Sequence, residues 1–394
     1  VCGAGNNGAD AFVAARVLSN RGFSVKVAFA SSRDKMSPAC RFAAEQFDGI
    51  VSPLSPDCLR RFKGVVVDAL FGIGLSRPIE DETADFIAAL NASNLPVVSL
   101  DIPSGVFADT GAVSPATVKA DSTVTFCRPK PAHFLYPAKE YVGDLTVCPI
   151  GITDETVANQ HPRFIVNPPF ELPAPTPYDH KYSRGAVLVA GGQMTGAARL
   201  TAQAARRFGA GLVKVVCSHE NALPYTVGDA GLVVSTEPLE AAVRDKKISS
   251  IAFGMGFGLN ERTKAALETV AKSGKPFVAD ADALAYIKDV TLTNAVLTPH
   301  EGEFARLFPD LKGDKLSRAL TAAETLGCVV ALKGADTVIA APDGRAAIDA
   351  NTSFYLATAG SGDVLSGIIA ALLAKHLPPF EAACAGVALH SAAG

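Results

Sequence analysis

Short apolar runs rich in β-branched residues alternate with longer amphipathic stretches along most of this 394-residue chain. Residues 25–30, 64–67, 97–100 and 123–126 read as buried strands, with helices expected at 10–20, 38–47 and 84–91. That rhythm specifies parallel sheets covered by helices, because a strand buried on both faces must be apolar throughout. The rhythm breaks where Pro168, Pro169, Pro173, Pro175 and Pro177 crowd together. Proline fixes φ and removes a backbone donor, so such a cluster ends helices and central strands and reads as a linker. A second alternating series starts at 185–190 and runs to 337–341. The expected fold class is therefore α/β in two domains. Residues 1–165 form an N-terminal Rossmann-like doubly wound sheet, 166–177 a linker, and 178–394 a second α/β domain. No repeat relates the two.

Composition narrows the class. Hydrophobic content of 48% against 19% charged residues belongs to a globular chain with a sizeable core. A net charge of −3 offers no electrostatic footprint for nucleic acid or a membrane surface. The eight cysteines include no CxxC pair, which fits reduced thiols in a cytoplasmic protein better than a disulfide framework or a zinc site. No apolar run reaches the ~18–20 residues of a membrane helix. The chain opens at what reads as a strand end and closes inside an apolar helical pattern. Both termini are therefore expected to be cut, and a targeting signal before Val1 would lie outside this sequence.

Residues 351–367 carry the strongest chemical signal. Ala359, Gly360, Ser361 and Gly362 form a small-residue loop, and the apolar run from Val364 reads as a buried helix. Between them stands one carboxylate, Asp363. A helix N-terminus binds anions through its backbone N–H groups and dipole. A carboxylate among phosphate-binding amides would repel the phosphate, so it reads as a base for a hydroxyl attacking that phosphate. The alternative is an acidic N-cap after a glycine turn.

Three strand ends carry polar groups in the first domain. Gly3-Ala4-Gly5-Asn6-Asn7-Gly8-Ala9-Asp10 reads as a loop before a helix at 11–18, a phosphate-binding geometry without the dinucleotide spacing. Asp68 precedes a glycine loop at 72–74, and Asp101 precedes Pro103 and Ser104. Each could be a turn or cap residue. Together they converge on one crevice at the carboxyl edge of a sheet. The second domain repeats the pattern with other residues. Gly254-Met255-Gly256-Phe257-Gly258, the acids Asp280 and Asp282, Thr298-Pro299-His300-Glu301-Gly302-Glu303 and Leu332-Lys333-Gly334-Ala335-Asp336-Thr337 all follow apolar runs. Individually these read as caps, a core histidine or a solvated lysine; jointly, with Asp363, they point to one crevice.

GAGNNGAD, DALFGIGL and DIPSG, followed by Thr123-Val124-Thr125-Phe126 and Lys130-Pro131, resemble the N-terminal domain of NAD(P)H-hydrate epimerases over roughly residues 1–160. The resemblance implies that this domain interconverts the R and S forms of hydrated NADH or NADPH. It implies hydrate contacts at Asn6, Asn7, Gly8, Ala9, Asp10, Gly72, Ile73, Gly74, Leu75, Ser76, Arg77, Pro78 and Asp101. Asp101 would act at the reacting end, and Asn7, Asp68 and Ser104 would hold potassium. The family's usual loop reads GNNGGDG, so Ala9 and Ala11 replace two glycines, and their methyl groups are expected to restrict φ and crowd the ligand.

GGQMTGAARL, TPHEGE, LKGADT and GSGD resemble the ADP/ATP-dependent NAD(P)H-hydrate dehydratases, ribokinase-like relatives of small-molecule kinases, over about residues 176–394. Glu301 departs from the usual TPHPGE. The resemblance implies that Asp363 is the base and that Ala197, Gly256 and His300 contact the hydrate. Lys333, Gly334, Ala335, Asp336, Thr337, Ser353, Thr358, Ala359, Gly360, Ser361 and Gly362 would lie on the nucleotide. Magnesium would accompany ADP, the expected donor, and copies would form a homo-oligomer. Two other functions stay open: a small-molecule kinase whose product keeps its phosphate, and a non-catalytic N-terminal binding module.

Overall fold

The first three residues already belong to a sheet. In the computed structural model, which describes residues 1–394, Cys2 bridges Phe29 on one side and Ala69 on the other, both in parallel. The Val1 ammonium donates to the Val67 carbonyl at 2.7 Å, and Gly3 N to Ala69 O at 3.1 Å. This segment joins β1 (Lys26–Phe29) and β2 (Ile50–Pro53) to β3 (Val66–Asp68), β4 (Val97–Leu100), β5 (Ser122–Phe126) and β6 (Asp144–Cys148). All registered pairs among these strands are parallel. Three polar loops therefore leave one sheet at the same edge, as the sequence implies.

The Asn6–Asn20 helix begins inside the glycine loop, four residues earlier than the expected start at Asp10. Asn6 to Asp10 thus form its first turns. Gly8, Ala9 and Ala11 turn into the core, with Ala9 and Ala11 each 8% exposed and packed near Phe12, Phe29 and Cys40. The expected crowding at Ala9 and Ala11 is corrected: alanine is at ease in a helix, and both methyl groups fill core.

The chain divides at Pro162/Arg163, not across 166–177. β7 (Phe164–Val166) pairs in parallel with β16 (Ala346–Ile348), although 1–165 was expected to be first-domain sequence. Asn167 is buried and donates to the Cys384 carbonyl at 3.0 Å and to Asp349 Oδ1 at 3.3 Å. Phe170 and Leu172 pack on the second unit's core. Proline suits an edge strand and the irregular segment after it, so the cluster need not be a free linker.

The second unit is built on β8 (Ala186–Ala190), β9 (Leu212–Val216), β10 (Val233–Ser235), β11 (Ser250–Phe253), β12 (Phe277–Ala279), β13 (Ala295–Leu297), β14 (Val329–Leu332), β15 (Val338–Ala340) and β16. Their order is β10-β9-β8-β11-β12-β13-β14-β15-β16-β7. Strands β10 through β14 in that order run parallel, and β15 is antiparallel to both neighbours. The Ser361–Ala374 helix is buried from Leu365 to Ala374, which explains its largely apolar sequence. It crosses the Thr195–Arg207 helix closely: a Cβ on Gly367 would stand 2.2 Å from the Thr201 carbonyl. No helix is long and apolar enough to cross a membrane.

Candidate active sites

A cavity of about 510 Å³ opens at the carboxyl ends of β12, β13 and β14, beside the start of the Ser361–Ala374 helix. Gly360 caps that helix with φ of +91°, a conformation that glycine adopts without a Cβ penalty. Gly362 and Asp363 occupy the first turn, where backbone N–H groups have no intrahelical acceptor. Thr201 Oγ1 donates to the Asp363 carbonyl at 3.0 Å and ties this turn to the neighbouring helix.

A half-buried ion pair lies beneath the turn. Lys333 Nζ stands 2.9 Å from Asp280 Oδ1 and 3.2 Å from Oδ2, and Ser366 Oγ donates to Oδ2 at 3.1 Å. Ala281 follows with φ of +51°, a strained value for alanine that turns the chain sharply at the strand end. Desolvation raises the Asp363 carboxyl to about 6, with the Asp280 charge adding to the rise and Lys333 opposing it. A carboxyl poised near neutrality, at an anion-binding helix end, is equipped to accept a proton.

His300 begins the Glu301–Leu307 helix. Its Nδ1 accepts from Gly302 N at 3.0 Å and Glu303 N at 3.3 Å, so Nε2 holds the proton, 3.6 Å from Glu303 Oε2. Glu301 forms a two-pronged pair with Arg318, at 2.9 and 3.1 Å. That pair gives the unusual glutamate a structural task outside the cavity.

In the first unit Asp68 is fully buried. It accepts hydrogen bonds from Ser104 Oγ at 2.7 Å, Ser104 N at 2.9 Å, Ser99 Oγ at 2.8 Å and Leu70 N at 3.3 Å. Asn7 Nδ2 donates to the Phe71 and Leu100 carbonyls at 3.0 and 3.2 Å, which fixes the amide and leaves its Oδ1 buried without a partner. Asp101 has φ of +64° and pairs with Lys130 Nζ, while Thr125 Oγ1 donates to Asp101 Oδ1 at 3.0 Å. His133 accepts from Lys130 N at 2.9 Å, so its Nε2–H donates to the Asp101 carbonyl at 2.9 Å. Burial lowers that imidazole to about 4, against the pull of the Asp101 carbonyl. Asp10 is raised by desolvation and then by the charge of Asp101.

Residues 186–394 match the family described as NAD(P)H-hydrate dehydratase, and residues 1–132 the family described as YjeF-related protein N-terminus. The chain is 36% identical over 416 residues to the bifunctional NAD(P)H-hydrate repair enzyme Nnr of Escherichia coli (strain K12), covering 100% of this chain and 79% of that protein. The chain belongs to the bifunctional NAD(P)H-hydrate repair enzymes. The repair enzyme of the same name from Thermofilum pendens is 37% identical over 432 residues, covering 100% of this chain and 82% of that one. Two solved structures share the fold. One is the ADP/ATP-dependent NAD(P)H-hydrate dehydratase from Bacillus subtilis co-crystallised with ATP and Mg2+, with TM-score 0.51, 30% identity and coverage of 61% of this chain and 86% of that chain. The other is a ribokinase-like superfamily protein from Enterococcus faecalis V583, with TM-score 0.52, 27% identity and coverage of 56% and 82%. The expected ribokinase-like architecture agrees with both.

Within this repair enzyme the structure sorts the expected site residues. Asp363, His300, Lys333, Gly334, Ala335, Thr337, Ser353, Thr358, Gly360, Ser361 and Gly362 all line the cavity. Asp336, Ala359, Ala197 and Gly256 do not line it. Asp336 turns to Lys315 Nζ at 2.6 Å, and the Gly256 carbonyl accepts from Met194 N at 3.0 Å. Phe257, one residue on, lines a separate cavity of about 400 Å³ with Gly191 and Gly192. In the first unit Asn6 and Asp10 are exposed, whereas Gly8 and Ala9 face the core. Residues 72–78 form a loop without helix or strand, with Ile73 60% exposed.

Sequence reasoning left several residues unassigned. Asp280 was noted without its lysine partner, and Lys130 without Asp101. Ser366, Thr201 and His390 carried little signal beyond being polar within helical, largely apolar runs.

Proposed function

We propose that this chain repairs hydrated NAD(P)H in two steps: its first unit epimerises the R and S hydrates, and its second dehydrates the S form using ADP. The observation that carries the second step is the Asp363 carboxyl, raised to about 6 at the mouth of an anion-binding helix. Asp363 takes the proton from the ring hydroxyl, whose oxygen attacks the terminal phosphorus of ADP. AMP leaves, and the Gly362 and Asp363 amides with Lys333 stabilise the charge on the transferred phosphoryl group. The ring nitrogen then pushes out phosphate, and loss of a proton from the adjoining carbon restores NAD(P)H. Magnesium has no cluster of three or more His, Cys, Asp or Glu side chains to hold it. It would travel on the nucleotide's phosphates and screen their charge.

In the first unit, the ring hydroxyl departs as water on receiving a proton, and water returns on the opposite face while giving one back. Asp101, paired with Lys130, is the group we assign to these transfers. Asn7, Asp68 and Ser104 fit potassium: the buried Asn7 Oδ1 lacks a donor, and a monovalent cation suits a set of two neutral oxygens and one carboxylate. Bound there, the ion would neutralise charge and order the adjoining loops. A cytoplasmic setting and a homo-oligomer complete the reading.

Incubation of the S hydrate with ADP tests the second step. NAD(P)H absorbance should return with AMP and phosphate in equal amounts. A phosphorylated product that accumulates without NAD(P)H would instead make this unit a kinase.

A further inference from the structure

His133 ends the short turn Pro131–His133 in the first unit and is 2% exposed. Both of its ring nitrogens are committed to backbone. Lys130 N donates to Nδ1 at 2.9 Å, so the proton sits on Nε2, which donates to the Asp101 carbonyl at 2.9 Å. One imidazole therefore ties the end of β4 to the segment that follows β5. Only a neutral ring can do this, because a protonated Nδ1 accepts nothing. Burial, which lowers the ring to about 4, keeps it neutral.

The two residues so tied are the ones that meet as a charge pair. Lys130 Nζ is fully committed: it donates to Asp101 Oδ1, to Thr125 Oγ1 at 2.8 Å and to the Phe126 carbonyl at 3.1 Å. An ammonium has three donors, so none is left for a substrate. Asp101 is divided. Its Oδ1 takes Lys130 Nζ and Thr125 Oγ1, the latter at 3.0 Å, and Phe126 N stands 3.4 Å away. Every protein donor to this carboxylate lands on Oδ1, and none on Oδ2. The backbone beneath is held at φ of +64°, a left-handed conformation that an aspartate keeps only where its surroundings enforce it. Its N–H donates to the Val124 carbonyl at 2.7 Å, and its C=O belongs to His133. A ring that merely filled space would need neither nitrogen, and a phenyl group would fill it without burying two polar atoms.

We propose that His133 is a positioning residue for R-to-S exchange: it locks the left-handed Asp101 against Lys130, so that the carboxylate is anchored through Oδ1 and keeps Oδ2 for the hydrate. This rests on the assignment of the exchange protons to Asp101 and adds to it the group that aims them. Lys130 supplies charge and anchorage, and His133 fixes the distance between the two loops.

Exchange in the full chain tests this without ADP, where the second unit is idle. Pure S hydrate is converted to the mixture of R and S forms, and kcat and KM are read for wild type, His133→Phe, His133→Gln, Asp101→Asn and the His133→Phe/Asp101→Asn double variant. His133→Phe should lower kcat by ~10–10²-fold and leave KM within about twofold. His133→Gln, whose amide carries an acceptor and a donor, should recover most of that rate. In the Asp101→Asn background, His133→Phe should remove nothing further. Dehydration of the S hydrate, assayed separately with ADP, should be the same in all five. A wild-type kcat in His133→Phe overturns the proposal, and so does a loss confined to KM. The same factor lost in both backgrounds makes the ring a structural prop and also overturns it. Should His133→Phe not fold, His133→Gln against His133→Asn decides: the shorter amide cannot span both loops, so only the glutamine should keep the rate, and equal rates overturn the proposal. Asp101→Asn at the wild-type kcat removes the Asp101 assignment and this one with it. A slow Asp101→Asn beside an unaffected His133→Phe removes this one alone.

Discussion

Lys333 Nζ sits 2.9 Å from Asp280 Oδ1, and a Cβ added to Gly362 would stand 3.2 Å from that same nitrogen. One half-buried ion pair therefore lies directly against the turn that carries Asp363. Its two charges act on Asp363 in opposite directions, the aspartate raising and the lysine lowering its affinity for a proton. The pair is thus a tuning device for the carboxylate as well as a structural contact.

Dehydration should rise with pH through about 6, because only the ionised Asp363 accepts a proton. Asp280→Asn should move this acidic limb to lower pH, and Lys333→Met should move it higher. A profile whose acidic limb ignores both substitutions would mean that another group sets it.

Asp363→Asn should slow dehydration by ~10²–10⁴-fold or more while nucleotide binding stays near normal. The same variant should be more stable than wild type at neutral pH. The folded carboxyl binds its proton more tightly than the unfolded one, so ionising it above about 6 weakens the fold. Allowing for solvent screening of a half-buried group, the gain is roughly 1–2 kcal/mol. It should vanish below pH ~4, where both states are protonated. Thermal melts at pH 3.5 and 7.5 check this, and a destabilised variant at pH 7.5 contradicts the buried-base reading.

A fragment spanning residues 163–394 should fold alone and dehydrate the S hydrate. One starting at residue 175 loses β7, Asn167, Phe170 and Leu172, exposing the edge of β16 and leaving Asp349 without one donor. It should melt roughly 5–10 °C lower. Equal melting temperatures would show that residues 163–174 contribute nothing to the unit.

Asp101→Asn should slow R-to-S exchange by ~10²-fold or more and leave dehydration of the S form untouched. Asp68→Ala removes the acceptor for both Ser99 and Ser104, so it should lower stability as well as weaken hydrate binding and potassium dependence. Exchange is read as consumption of the R form with the second unit in excess. Exchange at the spontaneous rate in wild type would make the first unit a binding module.

Ala9→Gly with Ala11→Gly should destabilise the first unit, by about 1 kcal/mol at each site, without speeding exchange. Both positions are helical and buried, so glycine there adds unfolded-state freedom and removes core methyl groups. A faster double variant would restore the idea that these methyl groups crowd the hydrate.

Much of this was legible without coordinates. The alternation of apolar runs fixes parallel sheets, since such strands can be buried only between helices. Asp363 after GSG marks a carboxylate in the first turn of a helix because the local chain alone creates it. The strand-end position of Asp68, Asp101 and Asp280 also follows from local pattern. Tertiary structure alone decided their partners. Lys333 reaches Asp280 across 53 residues, Lys130 reaches Asp101 across 29, and Asn167 reaches Cys384 across 217. No local periodicity encodes such pairings, because they depend on which strands become neighbours. The proline cluster misled for the same reason: proline states what a segment cannot be, and only the open edge of β16 made residues 164–166 a strand.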